Sequence, residues 1–198
     1  MKHAARKLPV VREIVYAEPF SLARRLKGQA ALTLLESTRR HEFLGRYSYL
    51  AVNPTETIVD GSLEDVAVCL KANPRQHVDG LPPFQGGLAG YVSYDFGRTL
   101  EPKARIVERP AVAPMMVLHA YDTVISFDHL QERAWIVSDE EQKIDTLEQA
   151  LKTKPALLGS HRAPGFMSNM SRSDYEAAVQ KSIDYILDGD IFQTNITQ

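Results

Sequence analysis

The apolar positions of this chain change their period several times, and each change predicts an element. "VVREIVYA" (10–17) reads as a first strand, with Val11, Ile14 and Val15 as core. "EPFSLARRLKG" (18–28) reads as a short helix closed by Gly28. "AALTLLES" (30–37) is the next strand and "GRYSYLAVNP" (45–54) the one after. In the latter, Tyr47, Tyr49 and Ala51 alternate with Arg46, Ser48 and Leu50, the period of two of an extended chain. "TETIVDG" (55–61) continues the strand pattern and ends on an Asp-Gly turn. "SLEDVAVCLKAN" (62–73) turns helical: Ser62 can cap it, Glu64 and Asp65 suit its positive end, and Leu63, Val66, Ala67 and Leu70 share a face.

After the loop "PRQHVDGLPPFQGG", "GLAGYVSYDFG" (87–97) predicts a strand or strand-turn. Residues 113–140 predict two strands around the turn "DHLQER", a hairpin whose apolar content is Val124, Ile125, Phe127, Trp135 and Val137. "EQKIDTLEQALKT" (141–153) is a helix with Ile144, Leu147 and Leu151 on one side. The Pro-, Gly- and Ser-containing stretch 156–170 reads as a linker. A last helix follows, with Ser173 as cap and Glu176 three residues on. Its stripe is Tyr175, Val179, Ile183 and Ile186, and Gly189 supplies a left-handed stop. "IFQTNITQ" (191–198) alternates as a strand, with Gln193, Asn195 and Thr197 on one polar side. Many strands flanked by few helices make an α+β chain: a sheet-rich domain over 1–155, a linker over 156–170, and the start of another domain over 171–198.

Composition narrows the function classes. The 198 residues are 44% hydrophobic, enough for a sizeable core. With 23 basic and 25 acidic residues the net charge is −2, so no cationic field points to nucleic acid. One cysteine, Cys69, excludes an intrachain disulfide and a multi-cysteine zinc site. Arg12 and Glu13 interrupt the early apolar run, so no signal peptide is expected, and no apolar run is long enough for a membrane span. The expectation is a soluble cytoplasmic protein.

No spacing makes a recognisable catalytic set. The histidines at 3, 41, 77, 119, 129 and 161 form no HxH or HxxxH pair and read as surface or satisfied core residues. "FQGGLAG" is not GxGxxG and lacks the Lys-Ser/Thr of a P-loop; Gly86, Gly87 and Gly90 read as backbone positions that a Cβ would block. Glu36 lies near Arg39 and Arg40, a surface cluster of little energetic weight.

Three stretches nevertheless resemble a known family. "LTLLES" followed by "GRYSYLAVNP", then "PPFQGGLAGYVSYDFGRTLE", then "SRSDYEAAVQKSIDYILDGDIFQTNITQ" are similar, in order and spacing, to the N-terminal part of the chorismate-binding enzymes. That family includes anthranilate synthase component I and aminodeoxychorismate synthase component I. The resemblance implies an antiparallel sheet-rich N-terminal domain of the anthranilate synthase component I type, followed by a truncated chorismate-binding domain. It implies chorismate as substrate, a glutamine amidotransferase subunit as ammonia source, and Mg²⁺ held by residues of the absent part. No catalytic or metal residue is therefore expected in this chain, and the chain alone is expected to be inactive. "NITQ" at 195–198 and Gly97 before Arg98 resemble the aminodeoxychorismate type, whereas "LLES" resembles the anthranilate type. The resemblance also implies a tryptophan-type amino-acid pocket at Ser37 and at Leu44, Gly45, Arg46 and Tyr47. The plainer reading is that Ser37 ends a strand and Arg46 pairs with Glu36 or Glu42. A non-catalytic amino-acid-binding or partner-docking module is the reading from another class.

Overall fold

The computed structural model describes residues 8–39, 41, 44–101, 113–157, 159, 165 and 167–198. The chain divides into two compact units, Met1–Leu157 and Leu158–Gln198.

The first unit is built on two antiparallel sheets. Strands β1 (Val10–Ile14), β2 (Thr33–Leu35), β3 (Tyr47–Ala51), β7 (Thr123–Asp128) and β8 (Arg133–Ser138) form one sheet in the order β1-β8-β7-β3-β2. Strands β4 (Glu56–Val59), β5 (Gly87–Val92) and β6 (Met116–Tyr121) form the other in the order β4-β6-β5. Helices α1 (Pro19–Arg25) and α4 (Glu141–Leu151) cover one face of the larger sheet. Leu22, Leu26, Leu50, Ile125, Phe127, Ile136, Ile144 and Leu147 form the core there. The opposite face packs Ala51 and Val124 against Ala89 and Tyr121 of the smaller sheet. Being covered on both sides explains why Thr123–Asp128 is buried at every position and shows no alternation. Each large apolar side chain taken out of water there contributes about 1.5–3 kcal/mol before entropy is counted.

The predicted hairpin forms, with Val124, Ile125, Phe127, Trp135 and Val137 all buried. Residues 113–128 nevertheless make two strands rather than one. The chain crosses between the sheets at Asp122, whose carbonyl accepts from the Arg75 guanidinium and whose carboxylate pairs with Lys143. A second crossing, at residues 52–55, separates β3 from β4, which belong to different sheets instead of continuing one another; Asn53 takes φ 55° at the corner. Val15 is 90% exposed because the sheet pairing of β1 stops at Ile14.

Helix α2 (Leu63–Ala72) begins with the expected Ser62 cap, reciprocated by Asp65 as a capping box. Its inward face is Val66 and Cys69, packed with Ile58, Phe96 and Met116, while Leu63 and Leu70 are half-exposed. The helix is thus rotated from the face that periodicity alone selects. Burial raises the Cys69 thiol pKa, and Glu56, which accepts from it, raises it further. In "FQGGLAG" the glycines serve the backbone. Gly90 sits in β5 at φ 155°, where an added Cβ would collide with the Val117 carbonyl oxygen. After Ser93 a 3₁₀ turn (Tyr94–Phe96) leads into the one-turn α3 (Gly97–Leu100).

Charged groups fasten the edges. Arg12 on β1 bonds Glu141, Asp145 and Glu148, three carboxylates along one side of α4. At the far end of α1, Arg24 Nε and Nη2 both donate to the Ala156 carbonyl, at 2.9 and 2.6 Å, and the Ala156 N–H returns to the Arg24 carbonyl at 3.0 Å. Arg25 donates to the Thr153 carbonyl at 2.8 Å, and the Thr153 hydroxyl donates back to Arg25 O. The Arg24 and Arg25 carbonyls, which the end of α1 leaves open, are thereby satisfied by the segment that follows α4.

In the second unit, α5 spans Arg172–Asp188. Its cap is Ser171 rather than Ser173: Ser171 Oγ accepts the Asp174 N–H at 3.1 Å, which meets the capping requirement two residues earlier than expected. Gly189 adopts φ 82°, the left-handed stop expected of it. Tyr175, Val179, Ile183 and Ile186 line a cleft with Thr194–Thr197. Residues 191–198 form no strand; alternation supplies a face but not a neighbour for the ladder. Among the described residues, no helix is long and apolar enough to cross a membrane.

Candidate functional site

The resemblance directs attention to the connection between β2 and β3. The ladder between them ends at Leu35 opposite Tyr49. Two residues beyond, the Ser37 N–H is taken not by a strand but by a side chain, donating to Ser48 Oγ at 3.0 Å. Ser48 is fully buried, and its Oγ lies 2.6 Å from His129 Nε2. The other ring nitrogen, Nδ1, is 2.8 Å from the Tyr16 hydroxyl. Tyr16 meets the His129 ring edge-on and also touches Phe127. A buried polar chain therefore runs from the exit of β1 through the β7–β8 hairpin to Ser37, each buried member with a hydrogen-bond partner.

The other end of the connection is fixed as well. Gly45 takes φ 78°, and a Cβ there would collide with the Arg39 carbonyl and stand 3.3 Å from the Ser37 Cβ. This position needs glycine for conformation and for room. Next to it, Arg46 and Asp128 form a forked ion pair, with the Arg46 carbonyl accepting the His129 N–H at 2.9 Å. The guanidinium carbon lies 4.9 Å from the centre of the Tyr47 ring. Burial alone would raise the Asp128 pKa; Arg46 and the N–H groups of Gln131 and Leu130 outweigh it and hold the carboxyl below its ordinary range.

Of the five residues implied by the resemblance, Ser37 and Gly45 are brought back to back and Arg46 is fixed by its partner. Leu44 is 62% exposed and Tyr47 is half-buried. Arg46 pairs with Asp128 and not with Glu36; Glu42, the other expected partner, lies outside the described residues. Gly45 and Arg46 also line a cleft of about 370 Å³ together with Tyr16, Glu18, His129, Leu130 and Glu132. The sequence reading missed Tyr16, Ser48, Asp128 and His129. One signal was available: Asp128 opens the hairpin turn and its Oδ1 accepts the Leu130 and Gln131 N–H groups, an Asx turn readable from "DHLQ". A second cleft, of about 330 Å³ beside α4, contains Lys143 with Asp122 and Glu140, but these charges already satisfy one another. Among the described residues no three His, Cys, Asp or Glu side chains converge as a metal site requires.

A sequence model of the chorismate binding enzyme family matches residues 29–198. The anthranilate synthase component 1 of Pseudomonas putida is 31% identical over 216 residues, covering 88% of this chain and 44% of that protein. The aminodeoxychorismate synthase component 1 of Bacillus subtilis (strain 168) is 27% identical over 225 residues, covering 98% of this chain and 46% of that protein. Among solved structures, the anthranilate synthase component I from Streptococcus pneumoniae TIGR4 matches with a TM-score of 0.57 and 25% identity, covering 90% of this chain and 46% of that one. The chain thus spans less than half the length of these relatives.

Proposed function

This chain belongs to the chorismate binding enzyme family, and from that premise we propose that it is the N-terminal part of an aminodeoxychorismate synthase component I. The complete enzyme would convert chorismate and ammonia to 4-amino-4-deoxychorismate, on the way to 4-aminobenzoate and folate. Ammonia would come from a glutamine amidotransferase subunit. The observation that carries the choice of product is the sequence Asn195-Ile196-Thr197-Gln198 after "GDIFQ", which resembles the aminodeoxychorismate type; Gly97 in "YDFGR" agrees with it.

A second reading, anthranilate synthase component I, is favoured by Leu34-Leu35-Glu36-Ser37 and by the names of two of the relatives above. Under either reading Mg²⁺ would neutralise a substrate carboxylate. Among the described residues no three His, Cys, Asp or Glu side chains converge to hold it. The contribution of this chain is instead an amino-acid pocket of the tryptophan type, with Ser37 and the Leu44–Tyr47 stretch on its wall. The close approach of Gly45 to Ser37, where a Cβ would stand 3.3 Å from the Ser37 Cβ, supports that reading, because it sets the serine directly beside the turn that the Leu44–Tyr47 stretch makes.

The test is product identity. A chain extended through the whole family domain, given chorismate, Mg²⁺ and a high concentration of ammonium, should yield 4-amino-4-deoxychorismate by chromatography. Anthranilate as the product would replace the first reading by the second. The 198-residue chain alone should yield neither.

A further inference from the structure

We infer that His129 is a positioning residue for Ser37, acting through the Ser48 hydroxyl. Its consequence for a ligand rests on the amino-acid pocket proposed above; the positioning itself rests on the geometry alone. Ser48 lies on β3, where its side chain could occupy any of three staggered rotamers. Only one directs Oγ at the Ser37 N–H, and the imidazole Nε2 at 2.6 Å selects it. Ser37 lies beyond the last β2–β3 pair, Leu35 with Tyr49, so the Ser48 hydroxyl takes the place of a ladder bond. With Gly45 closing against Ser37 from the other side, the serine is set between a hydrogen bond and a steric stop. His129 is itself held, by Tyr16 at Nδ1 and through its backbone N–H on the Arg46 carbonyl. One residue therefore joins both ends of the β2–β3 connection, through its imidazole at Ser48 and its backbone N–H at Arg46.

The two ring nitrogens have different partners, and this separates positioning from plain packing. A glutamine at 129 can restore a polar group near Nε2 and keep the Ser48 bond, whereas an asparagine can restore only the Nδ1 side, toward Tyr16. Amide hydrogen exchange at Ser37, followed by NMR in the 198-residue chain, is the direct readout. His129→Asn should speed exchange at Ser37 about tenfold relative to amides of β7, the loss of one net hydrogen bond. His129→Gln should stay within about threefold of wild type. Equal exchange at Ser37 in the two variants, fast or slow, would overturn the inference. Ser48→Ala, which leaves the imidazole in place, should match His129→Asn; wild-type protection in that variant would also overturn it.

A second arm uses the chain extended through the family domain, with tryptophan as probe and calorimetry as readout. If wild type binds, His129→Asn should weaken the affinity about tenfold and His129→Gln should not; unchanged binding in His129→Asn would overturn the role of His129 in the pocket. If wild type does not bind, the amino-acid pocket reading falls, and the exchange data still decide whether His129 positions Ser37.

Discussion

Arg46 and Asp128 meet across β3 and the hairpin as a forked pair: Nη2 lies 2.6 Å from Oδ2, and Nε lies 3.1 Å from each carboxylate oxygen. The carboxylate is only 4% exposed and also caps the hairpin turn through the Leu130 and Gln131 N–H groups. One side chain thus ties the β2–β3 connection to the turn that carries His129.

Asp128→Asn should lower the unfolding free energy by about 1.5–3 kcal/mol, measured by urea unfolding at neutral pH. The pH dependence follows from the lowered native pKa of Asp128. The unfolded chain takes up this proton first as pH falls. The stabilisation is therefore fully present above the ordinary carboxylate value of about 4 and is lost as pH falls through the lower native value. The difference between wild type and variant should be flat above that range and shrink in acid. A difference that grew as pH fell would contradict the assignment.

Ser37→Ala, in a chain extended through the family domain, should weaken tryptophan binding about 10- to 150-fold, the cost of one hydrogen bond to a charged ligand group of about 1.5–3 kcal/mol. Chorismate turnover without tryptophan should change far less. Calorimetry and initial rates check the two halves separately, and equal affinities would return Ser37 to the role of a strand-end residue.

Gly90→Ala should destabilise the smaller sheet by at least about 1–3 kcal/mol. The new methyl meets the carbonyl of Val117 on the neighbouring strand and cannot be relieved by a side-chain rotation. Hydrogen exchange should show the loss concentrated in β4–β6, with β7 and β8 protected. Wild-type stability in the variant would show that the strands can separate at little cost.

Arg24→Ala should loosen residues 152–156 without unfolding the sheet. Lys152 precedes the segment held by Arg24 and Arg25, so trypsin cleavage after it reports on that segment directly. Cleavage should be about tenfold faster in the variant, and Arg24→Lys should fall between, since one ammonium cannot reproduce the two-pronged contact on Ala156 O. No change in cleavage rate would mean that the backbone bond between Ala156 and Arg24 holds the segment unaided.

What was legible in the sequence was local. Helix α2 with its Ser62 cap, the Ile144 and Leu147 face of α4, the Gly189 stop and the buried hairpin residues all follow from periodicity and end chemistry within a few residues. Ser37, Gly45 and Arg46 came from the family resemblance, because no spacing around them signals a site.

Tertiary structure decided the partners. Arg46 has Glu36 nearby in sequence but pairs with Asp128, which is desolvated and already fixed by two backbone bonds. His129 carries no local mark that separates it from the other histidines; folding makes it a hub by bringing Tyr16 and Ser48 to its two nitrogens. The division of 113–128 between two sheets and the rotation of α2 toward Cys69 were likewise set by what lay opposite. Capping and periodicity are short-range preferences written in each segment, whereas pairing is a comparison among all surfaces available in the folded chain, and that comparison exists only once the sheets have met.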